Sequence, residues 1–144
     1  MILTGEQLVK ANQIVPGSLT KIDNGVVPSF GPDPGGYTLT GETLWMYYHL
    51  APGKSISFKT TEEVTITEGQ IGLLFIKSTY ARQGIILVTN SPVDAGYTGK
   101  LTIRLFNSSD EYVKLFGCGG FMQLVVSEAN LTEVSYNGRW QGDK

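Results

Sequence analysis

Glycine and proline together supply 24 of the 144 residues, about 17% of the chain. That exceeds the roughly 12% of average proteins. They are spread along the chain, recurring about every ten residues, which leaves little room for long helices. Short strands joined by tight turns satisfy that spacing, so the chain reads as an all-β sandwich, jelly roll or barrel. The exception is the start, where Thr4 and Gln7 form the pattern of a capping box before a short helix with Leu8 and Ala11 on one edge.

Strand patterns follow from residue 43 onward. Residues 43–50 are aromatic, and 54–60 and 63–67 alternate polar with apolar. Residues 70–77 are almost continuously apolar, as in a strand buried on both faces. Residues 100–106 place Leu101, Ile103 and Leu105 on one side, with Lys100, Thr102 and Arg104 on the other. Further strands are expected at 85–89, 112–116, 121–127 and 132–136, whereas 16–41 reads as turns. No repeat or domain boundary interrupts this pattern, so residues 1–144 are expected to form a single domain.

Composition excludes several chemistries. With 11 Lys+Arg against 13 Asp+Glu, the net charge of -2 offers no basic surplus for duplex nucleic acid. Cys118 and His49 are the sole residues of their types. They cannot build a three- or four-ligand zinc site unaided, so no protein-bound zinc is expected, and no residue is assigned as a metal ligand. His49 reads as a strand-face residue and Cys118 as a turn residue. The longest apolar run, Leu73-Leu74-Phe75-Ile76, is far below the about 20 residues a membrane helix needs. Met1-Ile2-Leu3-Thr4 does not resemble a signal peptide. A soluble, cytoplasmic domain with no membrane partner is the expectation.

Two segments can carry chemistry. Lys77-Ser78-Thr79-Tyr80-Ala81-Arg82-Gln83-Gly84 follows the most apolar strand. Ser78 can cap one helical turn, and Lys77, Thr79 and Arg82 add the charge and donors a phosphate needs. A capped turn with solvated charges explains the same residues. In Pro92-Val93-Asp94-Ala95-Gly96-Tyr97-Thr98-Gly99, Asp94 is either a turn former or a general base beside the Tyr97 ring.

In order and spacing, these two segments resemble the motifs of the trimeric dUTPase / dCTP deaminase superfamily. Ser-Thr, then Arg82 and Gly84, resembles its second motif. Asp94, Tyr97 and Gly99, with the strand ending at Asn107, resemble its third. Leu115 through Gln123-Leu124-Val125 is similar to the fourth, after a glycine-rich turn. Pro52-Gly53, Thr60 or Thr61 and Glu63-Val64 resemble a stretch typical of dCTP deaminases, as does Tyr136-Asn137-Gly138-Arg139-Trp140-Gln141-Gly142 near the end.

The resemblance implies a distorted jelly roll (a β-clip) assembled as a homotrimer, with nucleotide sites at subunit interfaces. It implies phosphate binding by Lys77, Ser78, Thr79 and Arg82, with Gln123 near the base or phosphates. Asp94 would activate the catalytic water and Tyr97 would pack on the deoxyribose. The backbone around Asn90 and Val93 would face the pyrimidine, and Trp140 would stack on a base or anchor the tail. The implied reaction is hydrolysis of dUTP to dUMP and pyrophosphate, with Mg2+ carried on the nucleotide phosphates.

Three departures bear on that reading. Arg104 stands where the deaminases carry a glutamate, which argues against deamination of dCTP, since a guanidinium has no basic lone pair. Thr38, in Gly36-Tyr37-Thr38-Leu39, stands where dUTPases carry a magnesium-supporting aspartate, with Asp33 and Glu42 nearby in sequence. The sequence closes at Gly142-Asp143-Lys144, where the family's phosphate-covering arm would begin. The alternative they motivate is a protein that binds or sequesters a nucleotide, or regulates a protein partner, without turnover.

Overall fold

The computed structural model describes residues 1–129 and 136–144. The opening helix forms as the sequence indicates. In α1 (Gly5–Lys10) the Thr4 hydroxyl accepts from the Gln7 amide while the Gln7 side chain accepts from the Thr4 amide, so two end donors are satisfied reciprocally.

Ten strands follow. They are β1 (Ile14–Val15), β2 (Gly31–Asp33), β3 (Gly36–Thr40), β4 (Tyr47–Leu50), β5 (Ser55–Thr65), β6 (Gln70–Ile76), β7 (Ile85–Leu87), β8 (Thr98–Asn107), β9 (Val113–Phe116) and β10 (Gly120–Glu128). A single turn of helix, α2 (Ser78–Ala81), separates β6 from β7. One sheet runs β1-β5-β8-β7 and the other β2-β3-β10-β6, with a separate β4-β9 ribbon. Every pairing is antiparallel. The result is the distorted jelly roll that the family resemblance implies, one of the all-β architectures that the punctuated sequence allows.

The core lies between the two four-stranded sheets. Val64 and Ile66, with Leu101, Ile103 and Leu105 of β8, meet Leu39, Leu74, Met122, Leu124 and Val126 of the facing sheet. Strand β8 buries every second residue along most of its length, as its alternation predicts. Tyr80 of α2 is fully buried, stacks on Phe121 and accepts a hydrogen bond from the Phe116 amide.

Several expectations need correcting. Residues 16–41 are not all turns. They contain β2 and β3, and Tyr37, Thr38 and Leu39 of β3 are buried, because β3 pairs with β10 through its own backbone. The 54–60 and 63–67 segments form one strand, β5, continuous through a bulge between Lys59 and Glu63. Strand β6 is not buried on both faces. Gly72 and Leu74 point inward, but Phe75 is 51% exposed, because among the described residues nothing covers the outer face of the sheet at that point of β6. Ser78 does not cap α2; Lys77 occupies the capping position and contributes no side-chain bond. The strand expected at 132–136 falls largely outside the described residues. His49 lies exposed on β4 against the Tyr47 ring, and Cys118 is exposed in the turn between β9 and β10. Among the described residues, no helix is long and apolar enough to cross a membrane.

The bulge in β5 turns Glu62 into the interior. Its carboxylate accepts from the Thr40 amide (3.0 Å) and the Thr40 hydroxyl (2.8 Å), which links the two sheets. Burial raises the Glu62 pKa above the ordinary carboxylate range, and the Thr40 bonds oppose that rise only in part. A carboxyl whose pKa is raised by folding contributes stability below its unfolded pKa and loses it as pH rises through the folded value. The melting temperature of the wild-type protein should therefore fall relative to that of Glu62→Gln as pH rises from about 4 to 8. A melting-temperature difference that is constant across that range would refute the assignment.

Candidate functional site

The turn carrying Asp94 is clamped on both sides. Val93 exchanges backbone hydrogen bonds with Gly72 (2.8 and 2.9 Å), and a Cβ on Gly72 would lie 3.1 Å from that of Val93. Gly96 donates to the Ile66 carbonyl at 2.7 Å, and the Tyr97 carbonyl accepts from Ile66. Gly96 has a φ of 92°, which suits glycine and closes the turn tightly enough to leave Asp94 on its outside.

Asp94 stands at the rim of a cavity of about 430 Å³. Its carboxylate makes no hydrogen bond among the described residues and is open to solvent. Val93 and Tyr97 line the same cavity, with Thr89, Ser91, Leu101, Thr102 and Trp140 also contributing. The Tyr97 ring is buried, meets Tyr136 edge-on at 5.4 Å, and donates its hydroxyl to the Lys100 carbonyl at 2.6 Å. Burial pushes its phenol up to about 12, reinforced by the nearby Asp143 carboxylate, so Tyr97 stays a neutral donor.

The C-terminal segment forms one wall. Gly142 donates to the Thr98 carbonyl and Lys100 donates to the Asp143 carbonyl, both at 2.8 Å. Gln141 bonds the Thr98 amide and the Gly96 carbonyl through its side chain, and Asp143 pairs with Lys59. The approach requires Gly99, whose φ is 154° and whose added Cβ would lie 2.8 Å from both the Asp143 nitrogen and the Tyr97 hydroxyl. Trp140 is 60% exposed at the mouth, with the Arg139 guanidinium over its ring at 5.6 Å.

Lys77, Ser78, Thr79, Arg82 and Gln123 do not line this cavity. Val93 pairs with Gly72 near the start of β6, whereas Lys77 follows the strand's end. Four residues of strand lie between Gly72 and Lys77, a span of about 16 Å, and Leu74 is the one residue of β6 that lines the cavity. Ser78, Thr79 and Arg82 are exposed there. Gln123 is half-buried on β10, opposite Thr38 of β3 on one side and Phe75 of β6 on the other. Asn90 is exposed beside the cavity-lining Thr89 and Ser91 but is not itself part of the wall.

The cavity also holds groups that reading the sequence left out. Thr89, Lys100 and Thr102 line it, as does Asp143. The outward alternation of Lys100 and Thr102 on β8 was the signal available for those two. Arg104, on the same face, does not line the cavity and donates to the Ser55 hydroxyl at 3.0 Å.

Thr38 is buried and donates its hydroxyl to Asp33 Oδ2 at 2.7 Å, while Asp33 Oδ1 pairs with Lys21. Both oxygens of Asp33 are thus engaged. Glu42 pairs with Lys100. No cluster of three or more His, Cys, Asp or Glu suited to a metal is present among the described residues. This donor set does not fit a magnesium ion held by the chain itself.

Residues 43–129 match the family model described as dCTP deaminase-like. A dCTP deaminase of Aeropyrum pernix is 33% identical over 96 residues, which cover 66% of this chain and 53% of that protein. A probable deoxyuridine 5'-triphosphate nucleotidohydrolase of Sulfolobus islandicus rod-shaped virus 1 is 36% identical over 97 residues, covering 66% of this chain and 60% of that one. The chain thus spans a little over half the length of these two relatives. A dUTPase of the S. aureus phage phi11, solved to describe coordination of a structural Mg(II) ion, has a TM-score of 0.59 at 19% identity. That alignment covers 89% of this chain and 97% of the phage protein. The matched segment contains β4 to β10, the Lys77–Gly84 region and the Asp94 turn, and on that basis the chain belongs to the dCTP deaminase-like family.

Proposed function

We propose that this chain is one subunit of a trimer that processes pyrimidine deoxynucleotides, hydrolysing dUTP to dUMP and pyrophosphate. The observation that carries the reading is the solvent-open Asp94 carboxylate at the rim of a cavity floored by Tyr97 and flanked by Trp140. A cavity of about 430 Å³ lies within the usual range for small-molecule sites. The buried Tyr97 ring offers a flat wall to a deoxyribose, and the exposed Trp140 indole offers a stacking surface to a base.

In this reading a water held by Asp94 attacks the α-phosphorus. Asp94 takes the proton, the bond from that phosphorus to the bridging oxygen breaks, and pyrophosphate leaves with the electron pair. Lys77, Ser78, Thr79 and Arg82 hold the phosphates, with Gln123 beside them. Lys77 in an arginine's place keeps the charge without the two-pronged grip. Magnesium, where present, belongs to the nucleotide and has no ligand set among the described residues.

The phosphate segment and the Asp94 cavity lie apart in one chain, which supports a site completed between subunits. The outer face of β6 and β10 supports the same assembly. Phe75 is half-exposed there, Leu73 and Val125 lie in the same face, and Ile86 and Val88 add exposed apolar surface nearby. Deamination of dCTP is the less supported reaction, because Arg104 is engaged with Ser55 and no glutamate among the described residues lines the cavity. The reading without turnover draws on Thr38, whose hydroxyl is spent on Asp33.

Pyrophosphate release measured with each deoxynucleoside triphosphate should be greatest with dUTP. Asp94→Asn should lower it by about 100-fold or more while the variant still binds the nucleotide. Wild-type release no higher than that of Asp94→Asn would leave a binding protein instead. Phe75→Asp should convert the trimer to monomers in analytical ultracentrifugation, since it places a charge in an apolar contact. An unchanged sedimentation coefficient would remove this face from the subunit contact.

A further inference from the structure

The end of the β2-β3-β10-β6 sheet gathers charge that the cavity does not use. Lys21 lies in the segment that crosses β2, close enough that a Cβ on Gly31 would sit 3.2 Å from the Lys21 Cα. Ile22 forms a bridge with Phe30, and the preceding residue, Ser29, accepts a hydrogen bond from Lys77 Nζ at 3.1 Å. The loop thus brings Lys21 and, through Ser29, Lys77 to the same end of the sheet, with Thr38 tied to Lys21 through Asp33.

Their compensation is unequal. Asp33 is pinned between Lys21 and the Thr38 hydroxyl and keeps only 10% of its side chain exposed, whereas Lys21 keeps 41%. An ammonium has three donors, so one bond to Asp33 leaves Lys21 two to offer outward. Lys77 is half-buried, forms no ion pair among the described residues, and has a hydroxyl as its partner. Its pKa is lowered first by burial and then by the charge of Lys21, against the opposing pull of Asp33 and Asp23. Asp23 for its part accepts the Gly25 amide in a local turn. A half-buried cation pressed by a second cation is stabilised by an anion placed between the two.

We propose that Lys21 is a second phosphate-holding residue beside Lys77, oriented by Asp33 and Thr38, so that the chain binds the polyphosphate of its nucleotide without a divalent cation. This rests on the nucleotide reading above. Asp33 supplies no metal ligand; it positions an ammonium, and that ammonium provides positive charge which a metal ion would otherwise bring. Thr38 steadies that arrangement by donating to Asp33 Oδ2, which leaves Oδ1 for Lys21.

Isothermal titration of the full chain with inorganic tripolyphosphate and with the non-hydrolysable α,β-imido-dUTP, in excess EDTA or in excess Mg2+, tests it. Both probes should bind in EDTA. Lys21→Met should weaken both by about tenfold or more, the size of one lost charge-assisted bond, and Lys21→Arg should restore most of the affinity. The double variant Lys21→Met, Asp33→Asn avoids leaving Asp33 unpaired and should show the same loss. Wild-type affinity in Lys21→Met or in the double variant would overturn the proposal. So would binding that disappears in EDTA, even though imido-dUTP bound with Mg2+ would leave the nucleotide reading standing. If tripolyphosphate binds in EDTA through Lys21 but imido-dUTP binds no tighter than tripolyphosphate, the lysine pair stands and the nucleotide reading falls.

Discussion

A single buried carboxylate couples the two halves of this fold. Where β5 bulges, Glu62 crosses from one sheet to bond the amide and hydroxyl of Thr40 on the other. The same bulge lets the Thr60 hydroxyl donate to the Glu62 carbonyl and accept from Leu101 of β8. Strand β8 leads back to the Asp94 turn, and β3 carries Thr38. The positions of the cavity and of the cation pair are thus both referred to one point, and a buried acid is tolerated there because each oxygen has a partner.

Much of this organisation is legible from residue order. The period-two pattern of Leu101, Ile103 and Leu105 and the Thr4–Gln7 box both describe local physics, and both appear where they are expected. The extents of β5 and β6 were harder to read. Alternation either side of residues 60–62 looks like two strands because a bulge shifts the phase by inserting residues, which a periodic template treats as a break. In β6 the continuous apolar run signals two covered faces, but among the described residues only one is covered. Strand β3 was hidden among prolines and glycines because its pairing comes from distant β10 and not from its own propensity.

The candidate site divides along the same line. Asp94, Val93, Tyr97 and Trp140 could be singled out from motif order, and the fold brings these four to one cavity. Asp143 joins them only through long-range contacts that no local pattern encodes. Lys21 is the clearest case. Nothing in its neighbourhood marks it, and its place beside Lys77 follows from the Ile22–Phe30 bridge and from the reach of Asp33. A side chain whose role depends on a partner 56 positions away along the chain is invisible to any short window.

The way the last residues lie along β8 has a consequence for exchange with solvent. The attachment of residues 141–143 consists mainly of two backbone hydrogen bonds, the Gln141 side-chain bonds and the partly exposed Lys59–Asp143 pair. Such a zipper is worth a few kcal/mol, with the ion pair the smallest and most salt-sensitive share. A latch of that strength leaves an open form in roughly 0.1–10% of molecules at any moment. Trp140 is thereby mounted on a hinge that thermal motion can release, and added salt weakens the latch from its Lys59 end first.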